Sequence, residues 1–104
     1  MEKKPITSVV IFSAKEGFVE QVRESLLRLS ETTLQEEGCI SYLMHEDVDT
    51  PGRFMCCAIW KDRAAFDNHM DTHYYKEWME FYETKTDILF PKAPWVVIDW
   101  EGPN

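Results

Sequence analysis

The sequence is poor in basic residues: eleven Lys and Arg stand against nineteen Asp and Glu, for a formal net charge of −8 over 104 residues. Nucleic-acid binding needs a basic patch to neutralise phosphates, so this balance excludes a nucleic-acid partner. The one basic cluster, Lys3-Lys4, lies at the terminus, where it is simply solvated. No apolar run approaches the roughly 20 residues of a membrane span, which argues against a membrane partner. The start, MEKKPITSVV, lacks the apolar segment of a secretory signal, so a cytoplasmic location is expected. Cysteines number three, Cys39, Cys56 and Cys57. An odd count without regular spacing is not a disulfide framework. Cys56 and Cys57 adjoin on a predicted strand, so they point to opposite faces and form no CxxC pair. All three read as small buried hydrophobes. Repeats, low-complexity segments and linkers are absent.

Hydrophobic residues make up 44% and aromatics 13%, enough for one globular domain over residues 1–104. Ile6 to Ala14 (ITSVVIFSA) is β-branched and reads as a strand. After the turn KEG the period changes. Phe18, Val22, Leu26, Leu29 and Thr33 recur every three or four residues, with charge between them, as an amphipathic helix requires. Gly38 is placed to end that helix in a left-handed cap. Cys39 to Glu46 and Arg53 to Trp60 read as strands joined by the turn-rich DVDTPG, an antiparallel hairpin. Asp62 stands as a plain N-cap before RAAFDNHM. HYYKEWMEFYETK forms a second helical piece, with a break near Asp71-Thr72. Pro91 and Pro94 exclude a helix in TDILFPKAP, and Trp95 to Trp100 (WVVIDW) reads as the last strand.

The order β-α-β-β-α-β is the ferredoxin-like plan of the α+β class: a four-stranded antiparallel sheet with its helices on one face. The other face should then be polar, yet the strands are apolar on both sides: Val9 and Ile11, and Met55, Cys57 and Ile59, oppose the Val10 and Phe54 faces. Something must cover that face. A second copy of the chain is the simpler expectation; the alternative is a fold-back of Thr84 to Pro94.

Between Trp60 and Trp78 the sequence concentrates His69, His73, Tyr74 and Tyr75. Phe66, Met70, Tyr74, Trp78 and Phe81 step by four, four, four and three, which is a core stripe first and a pocket wall second. Trp60 suits plain core equally well. His69 fits either a pocket or a helix surface with local bonds, and the surface suits His73 better. Glu36-Glu37 and Glu46-Asp47 flank turns and read as solvated charge.

Residues 36–76, EEGCISYLMHEDVDTPGRFMCCAIWKDRAAFDNHMDTHYYK, resemble the central signature of the antibiotic biosynthesis monooxygenase domain family. The matching features are the E-G-C leading into Tyr42, the acidic turn before Arg53-Phe54, Trp60-Lys61-Asp62, and the A-x-x-x-H ending in His69. The resemblance implies a dimeric α/β barrel and, in many members, cofactor-independent oxygenation of quinols and polyphenols. Haem-degrading enzymes and an isomerase branch share the family. A haem-binding histidine would be expected where Met79 stands. Two positions depart from the family pattern. Ala58 replaces a frequent glutamate, and either Tyr74 or His73 takes the place of the second histidine of H-x-x-T-P-H-x-K.

The resemblance thus implies a monooxygenase acting on a small aromatic substrate and molecular oxygen, as a homodimer without bound cofactor. A non-catalytic dimer that binds a small ligand is the alternative. His69 and Tyr74 are the candidate catalytic residues, and Tyr42, Trp60, Asn68, His73 and Trp78 the candidate substrate contacts. Oxygenation without metal or flavin requires an electron-rich substrate, a base to deprotonate it and a chamber that excludes water. Histidine suits the base because its ordinary pKa is about 6.5. His69 and His73 at i, i+4 have a metal-like spacing that His45 and Asp71 could complete, but the family resembled is usually metal-free and no metal is expected.

Overall fold

A computed structural model describes residues 4–98. It comprises β1 (Ile6–Ala14), α1 (Val19–Thr33), β2 (Cys39–Glu46), β3 (Arg53–Trp60), α2 (Arg63–Met70), α3 (His73–Lys85) and β4 (Thr86–Trp95). The strands form one antiparallel sheet in the order β2-β3-β1-β4, the ferredoxin-like arrangement expected from the element order. Strand alternation sends Ile6, Val10 and Phe12 of β1 and Phe54, Cys56, Ala58 and Trp60 of β3 towards the helices, where all are buried. Val22, Leu26 and Leu29 of α1 close the core from the other side.

Local chemistry explains the joints. The β2–β3 turn is held by Asp47, whose carboxylate accepts from the Asp49 and Thr50 amides and from the Arg53 guanidinium. Gly52 takes φ 92° there, a conformation that suits glycine. Glu46 accepts both ends of the Arg23 fork at 2.8 and 2.6 Å, tying α1 to the end of β2. Glu46 and Asp47 are therefore structural ion-pair partners and not simply solvated charge. Asp62 caps α2 by accepting from Ala65 N at 2.9 Å, and Thr72 caps α3 by accepting from Tyr75 N at 3.3 Å.

Three sequence expectations change. The last strand is Thr86–Trp95, not Trp95 to Trp100; residues 99 and 100 lie outside the described residues. Pro91 and Pro94 are accommodated because β4 is an edge strand, where a missing N–H need not break a ladder on both sides. Gly38 does not cap α1. The helix ends at Thr33 with Leu34 in a right-handed cap, and among the described residues the positive-φ glycines are Gly17 and Gly52. Gly38 instead permits close approach: a Cβ there would lie 2.3 Å from Ala65 Cβ. Finally, only Cys56 is buried; Cys39 and Cys57 are half-buried, and all three are free thiols.

The second sheet face is apolar and, among the described residues, uncovered. Leu43, Ile59, Phe90 and Trp95 are exposed on it, and Val9, Ile11, Met55 and Cys57 are half-exposed. Thr84 to Pro94 completes α3 and forms edge strand β4, so the fold-back alternative does not apply.

Candidate active site

The site begins with the contact that Gly38 permits. Because Gly38 has no Cβ, the segment between α1 and β2 packs directly against the first turn of α2, and Lys61 N donates to Gly38 O at 2.9 Å. Glu36, two residues earlier, is thereby brought to the far end of α2. Its Oε2 lies 2.7 Å from His69 Nδ1 and accepts a short hydrogen bond from the Tyr74 hydroxyl. Gly38→Ala should therefore cost about 1–3 kcal/mol of overpacking, measured by urea unfolding, and loosen this contact.

A carboxylate can only accept, so Glu36 receives hydrogen bonds from both Tyr74 Oη and His69 Nδ1. That leaves the Nε2 lone pair of a neutral His69 unused, and Nε2 is buried with no hydrogen-bond partner. His69 is fully buried, its ring 4.7 Å from that of Trp60, 4.8 Å from Tyr75 and 5.7 Å from Tyr42, centroid to centroid. Burial pulls its pKa below the ordinary 6.5; the Glu36 bond opposes this and the Lys92 charge reinforces it. Tyr74 is pushed up to about 12, first by burial and then by its bond to Glu36, so it remains a hydrogen-bond donor.

Behind this trio lie two spaces. An inner cavity of about 50 Å³ is lined by Tyr42, Cys56, Tyr75, Trp78, Tyr82 and Lys92 with aliphatic neighbours. A groove of about 320 Å³ runs between α1 and α3 past Arg28, Tyr74 and Glu77. Leu29 and Trp78 line both, forming the partition between them. His69 stands behind the inner wall, against Tyr42 and Tyr75.

The structure gathers Tyr42, Trp60, His69, Tyr74 and Trp78. Trp60 backs the His69 ring and donates from Nε1 to Ser8 Oγ at 3.4 Å. Asn68 is exposed on the outer side of α2 and does not join them. His73 faces solvent and pairs with Glu77 at 3.0 Å, so Tyr74, not His73, stands at the site. The break at Asp71–Thr72 separates His69 from His73, and among the described residues no three His, Cys, Asp or Glu side chains cluster as metal ligands. The break also shifts the helical phase: Tyr75 and Tyr82 are the buried residues of α3, while Tyr74 and Phe81 are only half-buried. Glu36 had read as solvated charge. Nothing in its local sequence signals a bond to His69, 33 residues away. Tyr75, Tyr82 and Lys92 were also missed.

Residues 5–80 match the sequence profile of the family described as antibiotic biosynthesis monooxygenase. The chain belongs to this family. An uncharacterised protein of Synechocystis, sll1783, is 37% identical over 75 residues, which are 68% of this chain and 49% of that protein. The chain thus spans about half the length of that curated relative. Among solved structures, a Shewanella oneidensis protein is 26% identical with a TM-score of 0.82, covering 92% of this chain and 95% of its own. One from Deinococcus radiodurans, named as a candidate antibiotic biosynthesis monooxygenase, is 24% identical with a TM-score of 0.84, covering 95% and 96%. At that identity it speaks for the fold alone. In this member of the antibiotic biosynthesis monooxygenase family, Ala58 is a buried core residue and Met79 lines the inner cavity.

Proposed function

We propose that the chain is a cofactor-independent monooxygenase of a small aromatic, quinol-type substrate, working at the Glu36–His69–Tyr74 trio. The observation that carries this reading is a buried, neutral histidine whose Nδ1 is fixed by a carboxylate and whose Nε2 has no partner. Fixing Nδ1 sets the tautomer and leaves Nε2 as the proton acceptor. Once the Tyr42 and Tyr75 side chains that cover His69 part, a substrate hydroxyl can lose its proton to Nε2 and become an electron-rich phenolate. It then reduces oxygen directly; one oxygen atom enters the product and the other leaves as water, with the electrons drawn from the substrate. Tyr74 and Trp78 offer hydrogen-bonding and stacking surfaces along the groove. The inner cavity is too small for a ring, so the substrate enters by displacing the Leu29–Trp78 partition. Oxygen uptake with a panel of quinols tests the reading. Turnover that Tyr74→Phe reduces supports it, whereas no uptake with any quinol favours the ligand-binding alternative.

The open apolar sheet face supports a homodimer built sheet to sheet. Light scattering should give twice the monomer mass of 12.3 kDa. Leu43→Lys with Ile59→Lys should give monomers that still fold, since both side chains are exposed in the single chain. A wild-type monomer at micromolar concentration would overturn the dimer.

A further inference from the structure

Resting on the cavity described above, though not on turnover, we propose that its inner end binds an acidic oxygen of the substrate, a carboxylate or an ionised phenol. Lys92 is its counter-ion, and Trp78 Nε1 and Tyr82 Oη are further donors. The placement of Lys92 starts with the sequence F-P-K-A-P. Val9 pairs with Ala93 and Ile11 with Phe90, so β4 carries one extra residue across Pro91-Lys92. Such a bulge re-aims side chains. Lys92 thus leaves the edge strand towards the helices, and its Nζ lies 4.5 Å from the centroid of the Tyr75 ring. Among the described residues no hydrogen bond or ion pair is made to it, and Glu36 acts on it only through its charge.

Two other cavity-lining donors are idle. Trp78 Nε1 is buried without a partner, and so is Tyr82 Oη on a residue only 3% exposed. Thr86 Oγ1 donates to the Tyr82 carbonyl at 2.8 Å, and its remaining lone pairs are, among the described residues, the one nearby protein acceptor that acts on the Tyr82 hydroxyl, without forming a well-made bond to it. Indole N–H and ammonium groups can only donate, and buried polar groups without partners are costly. A ligand that satisfies all three must accept, and one that faces an unpaired ammonium is best charged. Burial lowers the Lys92 pKa, against the opposing charges of Cys56 and Glu36, and an anion beside it would raise it again. Size agrees: about 50 Å³ admits a headgroup but no ring, while the adjoining 320 Å³ groove takes the ring.

Calorimetry near neutral pH tests this with 4-hydroxybenzoate against its methyl ester, and 4-nitrophenol against 4-nitroanisole. Each pair keeps the ring and removes the anion. The wild type should bind at least one anion about tenfold or more tightly than its neutral partner. The pair that shows the preference tells carboxylate from phenolate. Lys92→Gln should abolish the preference, Lys92→Arg should largely retain it, and Tyr82→Phe, which preserves packing, should weaken anion binding alone. Equal binding of anion and neutral partner, no binding of either, or a preference that survives Lys92→Gln would overturn the subsite. So would loss in Arg28→Gln alone, which would place the anion at the groove rim. Oxygen uptake separates the two readings: Lys92-dependent anion binding without quinol turnover sinks the monooxygenase and leaves the subsite standing.

Discussion

Trp60→Ala should destabilise the protein by roughly 3–5 kcal/mol, the usual cost of removing a large buried aromatic. Trp60 is 1% exposed, its ring packs on Tyr42 and His69, and its indole N–H reaches Ser8. The cavity would open under His69, so the loss should extend to the geometry of the site. Trp60→Phe should cost much less, because it fills most of the space and gives up only the bond to Ser8. Urea unfolding of the three proteins measures both. A cost below 1 kcal/mol for the alanine variant would mean that the strand end can collapse onto α2.

The second large effect is on rate. His69→Asn should lower quinol oxidation by about 10²-fold or more, the scale for removal of a general base. Asparagine is the informative replacement because its amide can still donate to Glu36, keeping the half-buried carboxylate paired. His69→Ala would instead leave a hole among three aromatic rings and take from Glu36 one of its two donors, leaving Tyr74. The complete burial of His69 makes alanine costly to folding as well as to rate.

The same residue sets a pH dependence. Its folded pKa lies below 6.5, so below that pH the unfolded chain takes up a proton that the folded chain refuses. Stability should therefore be unaffected by His69 above about pH 6.5 and fall as pH drops from there towards its folded pKa. His69→Asn should remove this portion of the loss. Glu46, Asp47 and Asp71, held below the ordinary carboxylate range by bonds to Arg23, Arg53 and Lys76, act separately. Their contribution is present above about pH 4 and is lost at lower pH, as acid titrates the folded carboxylates. Thermal melts of both proteins between neutral pH and pH 5 isolate the histidine. Parallel curves would show that His69 is not the group that titrates.

Period and punctuation by themselves determined most of the fold. β-branched runs bounded by turn residues placed β1, β2 and β3 at their observed limits, and the spacing from Phe18 to Thr33 placed α1, because these signals are local. Asp62 as a cap and the break near Asp71-Thr72 were legible for the same reason. The apolar second face was legible too, since alternation within a strand assigns faces without knowing the neighbours. The last strand was not, because whether a proline is tolerated depends on where its strand sits in the sheet, and only the order β2-β3-β1-β4 puts β4 at the edge.

The site divides in the same way. His69, Tyr74 and Trp78 stood out as polar tips on apolar bodies within one segment. The role of Gly38 came from the approach of α2, not from its own backbone angle. Glu36 read as solvated charge, and nothing singled out Lys92. Tertiary structure alone decided otherwise, because contacts across 33 residues, or across a bulged sheet edge, leave no trace in local periodicity.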